Sequence, residues 1–254
     1  MVSGSPASRY INLGCGGCYH PDWTNVDCQV TGPGVIAYDL TQGIPFPDES
    51  FSVAYHSHLL EHLPKSAAEP FLRECYRVLQ PSGTLRVAVP DLEQIARLYL
   101  TALEKASQGD PEWSANYEWI LLEMYDQVVR DRSGGEMLVY LSQKSLPNEA
   151  FVLSRLGVEG EQMLASIRAS GSVTRPDSPQ TPEQAIAFRQ CGEIHQWMYD
   201  RHSLGILLQK AGFRDIKVCT AFDSRMADFG QYCLDTTPDG RVRKADSLFM
   251  EASK

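Results

Sequence analysis

The chain has 254 residues, of which 43% are hydrophobic and 22% charged, with a formal net charge of −9. That length and balance suit one large α/β domain, or one domain carrying an insertion, built on an apolar core. The charge argues against a binder of DNA, RNA or anionic membranes, because the longest basic cluster is only Arg241-Val242-Arg243-Lys244. No apolar run approaches the roughly 18 residues of a bilayer span. The segment from Met1 to Pro6 lacks the basic-then-apolar order of a signal peptide. Seven scattered cysteines read as reduced thiols of a cytoplasmic protein, not as a disulfide framework.

Short apolar runs separated by turn signals open the chain. Residues 9–13 (RYINL) predict a first strand that stops at Gly14-Cys15-Gly16-Gly17. Residues 23–27 predict a second strand, 34–39 a third, 51–56 a fourth and 84–89 a fifth. Runs this apolar fit strands covered on both faces of a parallel sheet. Between the fourth and fifth, Phe71, Leu72, Cys75, Val78 and Leu79 form one helical stripe. Ser66 with Glu69 predicts a capping box for that helix, and Gly83 closes the unit.

After Pro90-Asp91 the texture changes, and residues 92–190 read as a mostly helical insertion. Asp91 caps a helix over 92–105 with Ile95, Leu98, Tyr99 and Leu103 buried, and a second helix covers 112–129. Residues 168–180 read as a mobile loop, and Thr181-Pro182 opens another helix. An insertion after a strand's carboxyl end belongs over a ligand crevice, so it reads as a lid. The sheet resumes with a helix over 203–211 and strands over 216–221 and 248–253. The expected division is therefore a core of 1–91 with 191–254 and an insertion of 92–190.

Glycines directly after a strand let a ligand approach the backbone. The dinucleotide fingerprint needs a third glycine at position 19, which is Tyr19. Asp27 and Asp39 end successive strands, where one could accept ribose hydroxyls and the other an adenine amino group. Ile11-Asn12-Leu13-Gly14-Cys15-Gly16, Ile44–Phe51, His58–Leu63 and Arg77–Leu85 together resemble, in order and spacing, the motifs of class I S-adenosylmethionine-dependent methyltransferases of the type 11-like, bacterial glycan or natural-product kind. The resemblance implies an α/β Rossmann-like, doubly wound sheet of about seven strands with the last antiparallel. It implies S-adenosylmethionine as cofactor and S-adenosylhomocysteine as product. Asn12, Gly14, Cys15 and Gly16 would contact that cofactor. So would Asp27, Asp39 and Leu40, and the histidines His56, His58 and His62. The sequence departs from the family between the first two strands, where only residues 17–22 stand in place of a crossover helix.

Methyl transfer to an acceptor oxygen calls for a base, and to nitrogen less so. His195, where the insertion rejoins the sheet, is the first candidate, and Asp91 after the fifth strand the second. Gln127, Arg130, Glu136 and Tyr199 are candidates to bind a small or glycan-like acceptor. Trp113, Trp119 and Tyr125 read as core of the insertion. Two rival readings stand. His56-Ser57-His58-Leu59-Leu60-Glu61-His62 resembles the H-x-H-x-D-H signature of metallo-β-lactamase-like hydrolases, with one residue too many before the last histidine. The other rival is a non-catalytic S-adenosylmethionine-binding module. No metal ligand set is assigned, since Cys15 and Cys18 lack a second pair.

Overall fold

A computed structural model describes residues 9–171, 178, 179 and 181–254. Seven strands form one sheet: β1 (Tyr10–Leu13), β2 (Thr24–Asp27), β3 (Val35–Ala37), β4 (Phe51–Ser57), β5 (Leu79–Pro90), β6 (Arg214–Cys219) and β7 (Ser247–Ser253). Their order is β3-β2-β1-β4-β5-β7-β6. The first five are mutually parallel, and β7 runs antiparallel to both β5 and β6. The expected seven-stranded α/β sheet with a reversed last strand is therefore present. β6 begins at Arg214, two residues before its expected start, and as the outermost strand it is largely exposed.

Helix α1 (Lys65–Val78) buries Ala68, Phe71, Leu72, Cys75 and Val78, the stripe read from sequence. Its expected capping box does not form. Pro64 is the cap residue and makes no side-chain hydrogen bond, so Ser66 already lies inside the first turn. The box appears instead on α7 (Arg201–Ala211). There the Asp200 carboxylate accepts from the His202 and Ser203 amides, and the Ser203 hydroxyl accepts from the Asp200 amide. Gly83 does not end α1, because the chain is already extended from Leu79.

Helices α1 and α7 cover one sheet face, where Ile11, Leu13, Ala54, Leu85, Val87 and Met250 are buried against Phe71, Leu72, Leu204 and Leu208. No helix joins β1 to β2, so the crossover helix is reduced to turns. The other face is covered by residues 220–235 of the β6–β7 connection. Phe229 and Leu234 join Trp23, Val53 and Tyr55 in a second cluster. Arg86 and Glu251, level with Tyr55 across β4, β5 and β7, anchor it. The Arg86 guanidinium donates to Asp235 (2.6 Å), Glu251 (2.9 Å) and the Asp223 and Thr220 carbonyls. Burial works against this cation, but Asp235, Cys219 and Glu251 more than offset it and hold it above its ordinary value.

The chain divides into two compact units. One holds the described residues up to Pro90 with Tyr199–Gly240 and Ser247–Lys254, and the other Asp91–Met198 with Arg241–Asp246. The second unit consists of α2 (Leu92–Ser107), α3 (Pro111–Val129), α4 (Gly135–Leu141), α5 (Glu149–Ser170) and α6 (Pro182–Arg189) around Ile95, Trp119, Ile120, Leu141, Val152 and Leu164. Asp91 caps α2 and Thr181 caps α6 as expected. Leu103 and Tyr125, expected inside, are 39% and 55% exposed, because α2 and α3 turn those positions away from this core. Residues 168–170 extend α5, and the rest of the expected loop falls mostly outside the described residues.

The unit also holds Arg241–Asp246, which the sequence division assigns to the sheet. A kink explains it. Gly157 adopts φ +68° inside α5, and the Val158 and Glu159 amides donate to the Val242 and Arg243 carbonyls at 3.2 and 3.1 Å. A Cβ on Gly157 would sit 2.7 Å from both carbonyls, so no other residue fits without displacement. Buried Arg155 grips Glu123 through two nitrogens, and Trp119 Nε1 donates to the same carboxylate at 2.5 Å.

Candidate functional site

The carboxyl ends of β1 and β2 build the first part of the site. The Gly14 and Cys15 amides both donate to the Val26 carbonyl, at 2.8 and 3.2 Å, which ties the glycine turn to β2. Gly14 has φ +64°, and a Cβ there would stand 2.8 Å from Leu59 Cδ1. Only glycine meets both demands. The Gly16 amide donates to Asp27 Oδ2 at 2.8 Å. Cβ atoms at positions 16 and 17 would meet nothing within 4 Å, so the turn presents open backbone. Asn12 is buried and donates to the Cys18 carbonyl and Asn25 Oδ1, which braces the turn from beneath. Burial, and then the charge of Asp27, push the Cys15 thiol up to about 11, which makes it a poor nucleophile.

Asp39 is exposed and caps a single 3-10 turn over Leu40–Gln42, accepting from the Thr41 amide (2.9 Å) and hydroxyl (2.7 Å). Those hydrogen bonds hold its carboxyl below the ordinary range. Leu40 is buried in the apolar core under α1.

The carboxyl end of β4 carries the histidines, and they separate sharply. His56 is fully buried with its ring edge-on to Phe71 (5.3 Å), and neither ring nitrogen has a hydrogen-bond partner among the described residues. Burial pushes it down to about 3, so it stays neutral and lies inside the core instead of at the crevice where the resemblance places it. His58 sits just beyond the strand with φ +49°, its amide donating to the Ala88 carbonyl. Its Nε2 is 2.8 Å from Ser247 Oγ and its Nδ1 3.3 Å from Glu61 Oε1. His62 ends the following 3-10 turn. His56, His58 and His62 do not gather as a ligand set among the described residues. Tyr199 is buried, and burial followed by the Glu61 charge pushes its phenol up to about 12.

The helical unit holds the other candidates. Asp91 Oδ1 accepts from the Gln94 amide (3.2 Å), and burial raises its carboxyl. His195 is buried, its amide donates to the Gln127 carbonyl (2.9 Å), and its Nε2 lies 2.9 Å from Gln127 Nε2. An amide nitrogen only donates, so the ring nitrogen accepts. Arg130 is engaged with Asp126 and Glu193, and the Glu136 carboxylate with Arg132. Both expected acceptor contacts are thus committed to ion pairs of their own unit.

No local pattern in the sequence marks Ser247, Arg86 or Asp235. Ser247 lies one residue before the strand expected over 248–253, and its relation to His58 spans 189 positions.

A family model described as a methyltransferase domain matches residues 23–87. No curated protein matches the chain. Among solved structures, a Thermotoga maritima protein described as a possible histamine N-methyltransferase is similar at 14% identity. That similarity covers 97% of this chain and 82% of the other, with a TM-score of 0.41. A methyltransferase from Archaeoglobus fulgidus is 13% identical over 98% of this chain and 87% of its own, with a TM-score of 0.41. One from Mesorhizobium loti is 14% identical over 100% and 94%, with a TM-score of 0.38.

Proposed function

We propose that this chain, a class I S-adenosylmethionine-dependent methyltransferase, moves a methyl group to an oxygen of a small hydroxylated or glycan-like acceptor. The family assignment rests on the matched domain, the motif order from Ile11 to Leu85 and the strand order that carries those motifs. When bound, S-adenosylmethionine supplies a methyl group activated by a sulfonium. The observation that carries the cofactor reading is the open glycine turn bonded through Gly16 to Asp27. Asp27 Oδ1 accepts from the Cys28 thiol and, at a long 3.3 Å, from the Gln29 amide, and a carboxylate oxygen has lone pairs left to accept ribose hydroxyls. We assign Gly14, Gly16 and Asp27 to the cofactor, with Asn12 and Cys15 shaping the turn and Asp39 near the base. His56 and Leu40 act through the core.

The oxygen reading has a chemical motive. A hydroxyl must lose its proton as it attacks, and an imidazole facing a hydroxyl already stands at the carboxyl edge of β4. Asp91 and His195 are less suited to take that proton. Asp91 caps α2, and His195 would first have to give up the Gln127 amide. The acidic surface argues against a nucleic-acid acceptor. Seven unbridged cysteines suit a reducing cytoplasmic setting.

The test is methyl transfer from labelled S-adenosylmethionine to matched panels of phenols, catechols and sugars and of the corresponding amines. Methyl ethers are the expected products. Transfer confined to amines would overturn the oxygen reading.

A further inference from the structure

The group formed beyond β4 by His58, hydrogen-bonded to Ser247 and at ion-pair distance from Glu61, remains unexplained by cofactor binding alone. Three elements bring it together. Pro90, the last residue of β5, pairs with Ser247, the first of β7, so Ser247 stands at the carboxyl edge of the parallel strands. His58 follows β4 at the same edge and is fixed by its amide on Ala88. Leu59, the next residue, packs against Gly14 of the glycine turn. The group and the turn therefore share the edge at which open α/β sheets bind their ligands.

The chemistry of the three side chains is directional. Glu61 is fully buried, and a buried carboxylate is costly unless a hydrogen-bond donor or a positive charge answers it. His58 Nδ1 stands 3.3 Å from Glu61 Oε1, and His62 and Tyr199 also lie near that carboxylate. A proton on Nδ1 leaves Nε2 as an acceptor, and Ser247 Oγ is the hydroxyl within reach, at 2.8 Å. Ser247 is half-buried and His58 keeps 14% of its side chain exposed, so the hydroxyl end of the group is open to a ligand. It is also held at φ +49°, a conformation that costs a non-glycine residue energy and recurs where a side chain must be aimed. This carboxylate–imidazole–hydroxyl order is the one that lets a histidine withdraw a hydroxyl proton.

We propose that Glu61, His58 and Ser247 form a proton relay that takes the proton of the acceptor hydroxyl, an inference that rests on the oxygen-acceptor reading above. The acceptor oxygen forms its bond to the methyl carbon as the carbon–sulfur bond breaks and its electron pair returns to sulfur. The hydroxyl proton passes to Ser247 Oγ while the Ser247 proton passes to His58 Nε2. The imidazolium is held by the Glu61 carboxylate and returns its extra proton to water after the product leaves. Ser247 and His58 are the catalytic residues, and Glu61 is a positioning residue.

Nitrogen-15 NMR of histidine-labelled free protein tests this without acceptor or cofactor. The His58 signals are those missing from His58→Gln. The relay requires the neutral ring to carry its proton on Nδ1, with Nε2 bare. In Glu61→Gln the pH midpoint for protonating Nε2 should fall by roughly one unit or more, because a facing carboxylate favours the cation. A proton on Nε2 in the wild type, or an unmoved midpoint in Glu61→Gln, overturns the relay. If Glu61→Gln does not fold, the wild-type tautomer decides alone. Failure of the methyltransferase reading shows separately, as absence of S-adenosylhomocysteine binding in calorimetry, and leaves the NMR result standing.

Discussion

The two faces of the sheet are built on opposite rules. Beneath α1 and α7 the surface is apolar, yet it contains a polar group, His56, without a hydrogen-bond partner among the described residues. On the other face no crossover helix exists between β1 and β2, and a long connection takes its place. That connection is pinned by Arg86, whose two carboxylates and two carbonyls are supplied from residues 220–251. Tyr55 donates to Asp235 at 2.7 Å, and the Ser224 hydroxyl and Arg225 amide donate to Glu251. A helix covers a sheet by matching apolar stripes. A loop has no stripe, so directional charged contacts hold it in place.

The contrast breaks most visibly at Arg86. Arg86→Met removes the cation and leaves Asp235 and Glu251 buried without it. Breaking a buried pair from one side costs about 3–5 kcal/mol. Urea unfolding should show a loss of that order, and a loss under about 1 kcal/mol would mean that the loop face does not depend on its charges.

The apolar face makes a pH prediction. His56 titrates at about 3 in the fold and ordinarily near 6.5. Between those values the unfolded chain binds a proton that the folded chain refuses. Stability from this group is therefore complete above about pH 6.5 and is lost as pH falls toward about 3. A drop from pH 7 to pH 5 should cost about 2 kcal/mol through His56. In His56→Leu that increment should vanish from the pH dependence of unfolding. Parallel curves for variant and wild type would show that His56 is not buried as described.

The smallest effect concerns how the helical face is held. Asp200→Ala removes the capping box of α7 and should lower stability by about 1 kcal/mol. Ser66→Ala should stay within about 0.5 kcal/mol, since Ser66 caps nothing in α1. Thermal melts that rank the two variants in reverse would return the cap to Ser66.

These contrasts also mark what could be read in advance. The α1 stripe, the glycine turn and most strands are local patterns, and they stand where periodicity puts them. The Ser66 box does not form because the cap residue is Pro64, two positions before the one the box requires. Arg86 finds Asp235 and Glu251 at separations of 149 and 165 residues, beyond any local pattern. The histidine cluster looked uniform in sequence. Strand alternation splits it: His56 points into the helix-covered face, whereas His58 lies past the strand end. Arg130 and Glu136 looked like ligand-seeking polar residues because their partners Asp126, Glu193 and Arg132 could not be assigned from spacing alone.

In the function we propose, the turn from Gly14 to Gly17 and Asp27 hold the adenosyl cofactor. Titration calorimetry with S-adenosylhomocysteine tests it most directly. The wild type should bind one equivalent, with a matching rise in melting temperature. Asp27→Asn should bind more weakly by about 1.5–3 kcal/mol, roughly ten- to a hundredfold, because a charged acceptor of ribose hydroxyls is gone. Unchanged affinity in Asp27→Asn would remove Asp27 alone from the site, whereas no detectable binding to the wild type would show that the glycine turn holds no adenosyl cofactor.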